Sequence, residues 1–284
     1  MRGTARHLLA ALGHGFIPPI AGYFAIMSVP PSPAEIYDRA VEEGRRRLSM
    51  PPLEQVATGF IAGVTIVFGI VALGVVEGLV KPVAGPGIAR IAGALAFAIG
   101  VVFLVVGRTE LFSENFFDPV AAVIDAGRAA AYVALIRLWG TILVLNLVGG
   151  AVLTLVLTID GALPESAPET LIGAAERIAT KQWAATLARA VMAGALLTML
   201  SYLLAATDSV TARVSVSYMV GFLLALGPFD HVVVSALHLV FGLWLGGPVG
   251  YGDLLQNLGL STAGNLAGGL LLITLTHTAQ VRGR

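Results

Sequence analysis

Within the apolar run Leu224–Val240 stand Gly227, Pro228, Phe229, Asp230 and His231. A neutral imidazole titrates near physiological pH, so His231 can take up a proton, attract a small anion and hand the proton over. The neutral acid so formed crosses apolar surroundings cheaply, whereas burying an unpaired anion costs several kcal/mol or more. Asp230 and His231 are expensive in hydrocarbon. Gly and Pro break a helix, and a break halfway through a spanning segment is tolerated only where it lines a cavity or is buried in protein. The half-helix after the break would also turn its N-terminal N–H groups toward a ligand. The bland alternative is a satisfied histidine between packed helices. A second polar break carries Arg108, Thr109, Glu110, Ser113, Glu114, Asn115 and Asp118. Ser113 there offers a hydroxyl toward the same pore, and Arg108 is expected to pair with Glu110 or Glu114 rather than to bind substrate. His238 follows His231 by seven residues and falls on nearly the same helix face. Two such histidines suggest haem, but haem needs ligands facing each other across helices, and only His277 remains in the other spans. His238 is therefore read as a packing or pore-lining residue.

The rest of the chain must hold these breaks in place. Of 284 residues, 57% are hydrophobic and 12% charged, where soluble domains carry about 25% charge. The chain is a polytopic membrane protein. Thirty-four glycines fit close helix packing in a bilayer. Zero net charge argues against nucleic acid as a partner. No cysteine is present, which removes disulfides, thiolate chemistry and Cys-based metal sites. No phosphate-binding loop, kinase signature or dinucleotide glycine pattern occurs, and no metal-ligand cluster, so neither cofactor nor metal is expected and any transport is passive or ion-coupled.

A spanning helix needs about 20 apolar residues. Six candidates lie near 55–79, 87–107 continuing through a break to about 126, 133–158, 187–206, 212–245 with its own break, and 258–277. Residues 1–30 form a tail whose run is short and Pro-broken, with Met27 a sensible first residue. An amphipathic interfacial helix occupies 31–50, capped by Ser32, Pro33 and Glu35, and the pore domain covers 51–280. The polar stretch 161–186 suggests a short extramembrane helix. With the N-terminus inside, eleven Lys and Arg lie on inner segments and five on outer ones, which supports cytoplasmic N- and C-termini.

Asn146-Leu147-Val148-Gly149-Gly150 matches Asn265-Leu266-Ala267-Gly268-Gly269. The Leu111-Phe112-Ser113 break stands at nearly the same offset from Phe229-Asp230-His231. The pattern reads as two three-helix halves, and an odd number of spans per half makes them inverted, with a broken helix in each, as in many transporters. The Asn motifs are read as mediating helix packing.

At these residues the chain resembles the formate/nitrite transporter family, over about residues 30–280. The family's first break reads Leu-Phe-Thr/Ser, matched by Leu111-Phe112-Ser113. Its central histidine follows Phe-Glu, matched by Phe229-Asp230-His231, and its sixth-span Gly-Asn pair is Gly264-Asn265. The resemblance implies an aquaporin-like fold, a homopentamer with one pore per protomer in the inner membrane, and small monovalent anions such as formate or nitrite moving with a proton. It implies that His231 protonates substrate and Ser113 hydrogen-bonds it. It also implies an outer constriction of Phe97 and Leu224, and an inner one of Val101, Leu111 and Phe112. Asp230 and Asn265 would belong to the same pore, and Arg108, Glu110 and Glu114 form a loop far more charged than the family norm. The family's fourth-span asparagine falls on Gly194, so one hydrogen bond at the pore is missing. The competing reading is an aquaporin-like facilitator of small neutral solutes with no proton step.

Overall fold

The computed structural model describes residues 30–283, so the tail expected over 1–30 lies outside the described residues but for its last position. The chain divides into 1–31 and 32–284, and all that follows concerns the second unit. Helix α1 (Pro33–Leu48) starts as its sequence directs. The Ser32 hydroxyl accepts the Glu35 N–H at 3.3 Å and the Glu35 carboxylate accepts the Ser32 N–H at 2.7 Å. Arg45, Arg46 and Arg47 fill its last turn, where cations meet the negative end of the helix dipole. Its buried residues Ile36, Tyr37, Ala40 and Val41 form one apolar stripe.

Pro52–Val106 is a hairpin of two helices, α2 (52–84) and α3 (86–106). Gly85 stands between them at φ 79°, a conformation that favours glycine, with Pro82 and Pro86 beside it. The arms then run back to back, so that a Cβ on Gly69 would lie 2.7 Å from the Phe97 carbonyl. The chain continues through a short 3₁₀ turn, Phe112–Phe116, into α4 (Asp118–Ala126), which Gly127 ends at φ 59°. Helix α5 (Ala129–Leu157) closes the first half. The second half repeats the order with α6 (Ala167–Ala179), α7 (Trp183–Ala205), α8 (Val210–Leu226), α9 (Val232–Trp244) and α10 (Tyr251–Arg282), the last carrying a wider π turn over Gly268–Thr274. The second and fifth spans are broken as expected. The final helix begins seven residues before the expected 258, because Asp253 accepts the Gly250 N–H and caps it.

The two halves match in their packing. Helix α1 packs on α4 and α6 on α9, so each short helix braces the second segment of its own half's broken span. Within each half the first and third spans approach backbone to backbone. A Cβ on Gly63 would lie 2.0 Å from the Asn146 carbonyl, and one on Gly149 would lie 2.1 Å from that of Phe60. In the second half a Cβ on Gly194 would lie 2.1 Å from the Asn265 carbonyl, and one on Gly268 would lie 1.8 Å from that of Val191. Small residues permit this closeness, which dispersion and short polar contacts reward in lipid. Gly194 therefore faces α10 and not the pore. The close backbone leaves no room there for an asparagine side chain.

These contacts set a contrast between glycines. Gly149→Val drives a branched side chain into the Phe60 backbone, while Gly140 has open space around its Cα. Overpacking of this kind costs about 1–3 kcal/mol or more. Thermal unfolding in detergent should show a lower midpoint for Gly149→Val and little change for Gly140→Val; equal midpoints would overturn the packing argument.

Candidate functional site

Both breaks leave backbone groups inside an apolar molecule, where an unpaired donor or acceptor costs about 1–3 kcal/mol. One asparagine in each half meets most of that need. Asn146 donates to the Gly59 and Glu110 carbonyls at 2.9 and 3.0 Å, and accepts the Phe112 N–H at 2.9 Å. Asn265 donates to the Ala190 and Asp230 carbonyls at 2.8 and 3.0 Å, and accepts the Val232 N–H at 2.9 Å. Three carbonyls of the first turn are met by side chains: Ser201 on Glu114, Trp139 on Asn115 and Thr274 on Phe116. The paired Asn motifs thus hold the breaks in shape, as well as packing helices. Asn265 has its whole amide committed to backbone and lines neither of the cavities described below. By this geometry Glu110 corresponds to Asp230 and Phe112 to Val232. Ser113 and His231 are partners across the molecule rather than equivalents in the repeat.

Those two meet at the centre. Ser113 Oγ lies 2.5 Å from His231 Nε2, and both side chains are buried. His231 also caps α9, its Nδ1 accepting the Val234 N–H at 3.4 Å. An accepting Nδ1 carries no proton, so the neutral ring holds its proton on Nε2, directed at Ser113.

A cavity opens on each side. The one beside α6, of about 420 Å³, is lined by Phe97, Leu224, Phe229 and His231 together with Glu77, Arg90, Arg177, Lys181, Arg189 and Asp230. Four cations there face two carboxylates. The one beside α1, of about 580 Å³, holds five guanidiniums, Arg39, Arg46, Arg47, Arg108 and Arg213, and five carboxylates, Glu43, Glu110, Glu114, Asp118 and Asp208. On α3, Phe97 lines the first cavity and Val105 the second, about 12 Å apart along the helix. Val101 stands midway. With Leu111 and Phe112 it lines neither cavity and belongs to the continuous apolar core. The expected outer residues Phe97 and Leu224 thus share the α6-side cavity with His231, and the expected inner three lie in the apolar core.

The charges resolve differently from the sequence expectation. Arg108 makes no ion pair among the described residues; it ends α3 with φ 53° and faces the α1-side cavity. Glu110 is met instead by Arg46 at 3.0 Å and Arg47 at 3.3 Å, and Asp118 by Arg47 at 3.5 Å. Arg47 also donates to the Glu114 carbonyl at 3.1 Å. Guanidiniums from the end of α1 reach deep enough to serve the break, and the turn at Gly107-Arg108 leaves Arg108 out of these pairs. In the second half Lys181, just after α6, pairs with Asp230. Burial pushes the Lys181 ammonium below its ordinary value, while Asp230 acts the other way. Each break therefore opens on an acid paired with a base from the end of its half's short helix or just beyond it. Sequence reading missed Lys181, Arg46, Arg47 and the function of Asn146. The Asn repeat was the signal for the last of these.

A family model described as formate/nitrite transporter matches residues 34–279. Two relatives are the "Probable formate transporter" of Methanothermobacter thermautotrophicus and the "Inner membrane protein YfdC" of Escherichia coli (strain K12). The first is 29% identical over 240 residues, covering 78% of this chain and 86% of the relative. The second is 23% identical over 248 residues, covering 87% and 78%. Among solved structures, an "FNT family ion channel" superposes with TM-score 0.76 at 15% identity, over 87% of this chain and 98% of the other. A "Pentameric formate channel with formate bound" does so with TM-score 0.65 at 18% identity, over 80% and 96%. The fold is that of these aquaporin-like channels.

Two outcomes follow from the bonding. Asn146→Leu leaves the Phe112 N–H and the Gly59 and Glu110 carbonyls unpaired, at about 1–3 kcal/mol per group. Its unfolding midpoint in detergent should fall sharply, with Asn265→Leu falling likewise; an unchanged midpoint for either would refute the clamp. The second concerns Glu43. Burial alone would raise its carboxyl, but hydrogen bonds and charge from Arg46 and Arg47 outweigh it and hold the group at about 2, against an ordinary 4.5. A lowered folded value stabilises above pH 4.5, and that stability is lost as pH falls from 4.5 toward 2. Acid unfolding scans should show Glu43→Gln less stable than the parent at neutral pH and converging with it near pH 2; parallel curves would count against the pairing.

Proposed function

The chain belongs to the formate/nitrite transporter family, whose members are channels and transporters rather than enzymes, and from that premise we propose that it carries small monovalent anions such as formate or nitrite across a membrane together with a proton delivered by His231. The observation that carries the proposal is the Ser113–His231 contact, buried at the barrier between a cavity rich in cations and a second, balanced one. Arg90, Arg177, Lys181 and Arg189 draw an anion into the α6-side cavity. Beyond Phe97 and Leu224 the lining turns apolar, and a bare charge would have to shed its water there at a cost of several kcal/mol or more. An imidazolium at His231 gives its Nε2 proton to an anion oxygen. The N–H bond breaks, an O–H bond forms, and a neutral acid passes Val101, Leu111 and Phe112. The imidazole regains a proton from the aqueous side. Ser113 hydrogen-bonds the ring before the anion arrives and the anion itself once it is there.

The same premise supports a homopentamer, in line with the pentameric neighbour, and an inner-membrane location, in line with the Escherichia coli relative. The charge bias of the segments supports cytoplasmic termini, and with that orientation the α1-side cavity faces inward and the α6-side cavity outward.

The test is uptake of radiolabelled formate and nitrite into proteoliposomes at pH about 5 and about 7.5, with and without His231→Asn. Uptake is expected to rise at the lower pH and to lose both its rate and its pH dependence in the variant, by about 100-fold if proton donation is the main device. pH-dependent uptake that survives His231→Asn would sink the proton step. Passage of neutral solutes alone, indifferent to pH and to His231, would favour the facilitator reading.

A further inference from the structure

His238 has no part in the mechanism above, yet its surroundings are those of a working group. It is buried, with 7% of its surface accessible, and what is accessible faces the α6-side cavity. Its Nδ1 lies 2.9 Å from the Val234 carbonyl. A carbonyl only accepts, so Nδ1 carries the hydrogen and Nε2 is left with a lone pair in the neutral ring. Nε2 has no hydrogen-bond partner among the described residues. The ring is more than nine-tenths buried, and its unpartnered nitrogen is open to a solute in this polar cavity.

The helix places it in line with the centre. His231, Val234, Ser235 and His238 all line the same cavity, at the spacing of one face of α9. Seven residues raise His238 about 10 Å along the axis from His231, on nearly the same bearing. The Ser235 hydroxyl stands between them. The charged groups facing this stretch are Glu77 and Arg90 from the first hairpin, Arg177 from α6, Lys181 after it, Arg189 from α7 and Asp230 at the break. Arg177 and Lys181 line the cavity together with His238. Lys181 is partly neutralised by Asp230, whereas Arg177 makes no ion pair among the described residues.

We propose that His238 is a second proton-exchanging position, at which a small monovalent oxyanion docks between Nε2 and the Arg177 guanidinium before it reaches His231. This rests on the reading of the chain as an anion transporter. An anion seated there offsets the neighbouring cations and favours the imidazolium, so proton and anion dock together. The imidazolium Nε2–H bond then breaks with its electron pair left on nitrogen, and an O–H bond forms on the anion. In the wet cavity this acid exchanges with its anion, so His231 still makes the last donation, and the His238 ring regains its proton from water there. In the opposite direction the same nitrogen takes the proton off an emerging acid.

The experiment uses the full-length protein in two parallel measurements. In proteoliposomes, His238→Gln keeps a polar side chain of similar reach but cannot titrate. It should lower formate uptake at pH about 5 by about tenfold and flatten the pH profile, with assembly unchanged. A wild-type pH profile in His238→Gln would overturn the proposal. In nanodiscs, ¹⁵N-histidine-labelled protein gives the Nε2 resonance of His238, identified by its loss in His238→Gln. Sodium formate should move that resonance and raise the pH at which it titrates, and Arg177→Gln should weaken the response. A resonance indifferent to both formate and pH would overturn the site whatever the transport result. If wild-type vesicles take up neither formate nor nitrite while the resonance still answers formate, the transport reading falls and the docking site stands.

Discussion

Everything in this molecule depends on keeping two interrupted backbones satisfied away from water. A helix crossing lipid meets its own hydrogen-bonding needs, and an interruption does not. Asn146 and Asn265 resolve the conflict in the same way, each bonding a carbonyl and an N–H of its half's break and a carbonyl of its half's first span. The close approach at Gly63 and Gly149, and at Gly194 and Gly268, brings the spans near enough for one amide to reach all three groups. The glycines and the asparagines are therefore one device. Neither is of use without the other.

The halves share this frame and differ in what they hang on it. In the second, the break carries a histidine at its helix start and a single Lys181–Asp230 pair. In the first, Arg46 and Arg47 meet Glu110 and Asp118 beside Ser113, in a network of several charges. Buried charges hold a structure only when they find partners, and those of Glu110 and Asp118 arrive from α1, while the Glu114 carboxylate makes no ion pair among the described residues. The position of that helix on α4 is thus tied electrostatically to the shape of the first break. The α6 side, with fewer carboxylates, keeps an excess of cations facing its cavity.

The sequence displayed the breaks because polar residues in an apolar run are conspicuous: Ser113, His231 and Asp230 stood out at once, and they meet or lie close in space. The broken spans, the short helix over 167–179 and the paired Asn motifs were legible for similar reasons of pattern. Partners far along the chain were not. Lys181 is 49 residues from Asp230, and Arg46 is 64 from Glu110. Nothing local distinguishes them from solvated charges. Arg108 drew attention because it is near Glu110 in sequence, while the turn after α3 sends it elsewhere. Gly194 shows the same limit from the other side: only the crossing with α10 shows which way it faces.

Each asparagine clamp draws only on residues of its own half. The first is complete between Gly59 and Asn146, the second between Ala190 and Asn265. A chain made from its N-terminus thus holds every part of the first clamp before α7 exists. Ser113 meets His231 only when both halves are present. The contact between the halves is therefore assembled last, so a protein arrested midway in synthesis holds the first clamp but neither this contact nor the bonds that Ser201 and Thr274 give the first break.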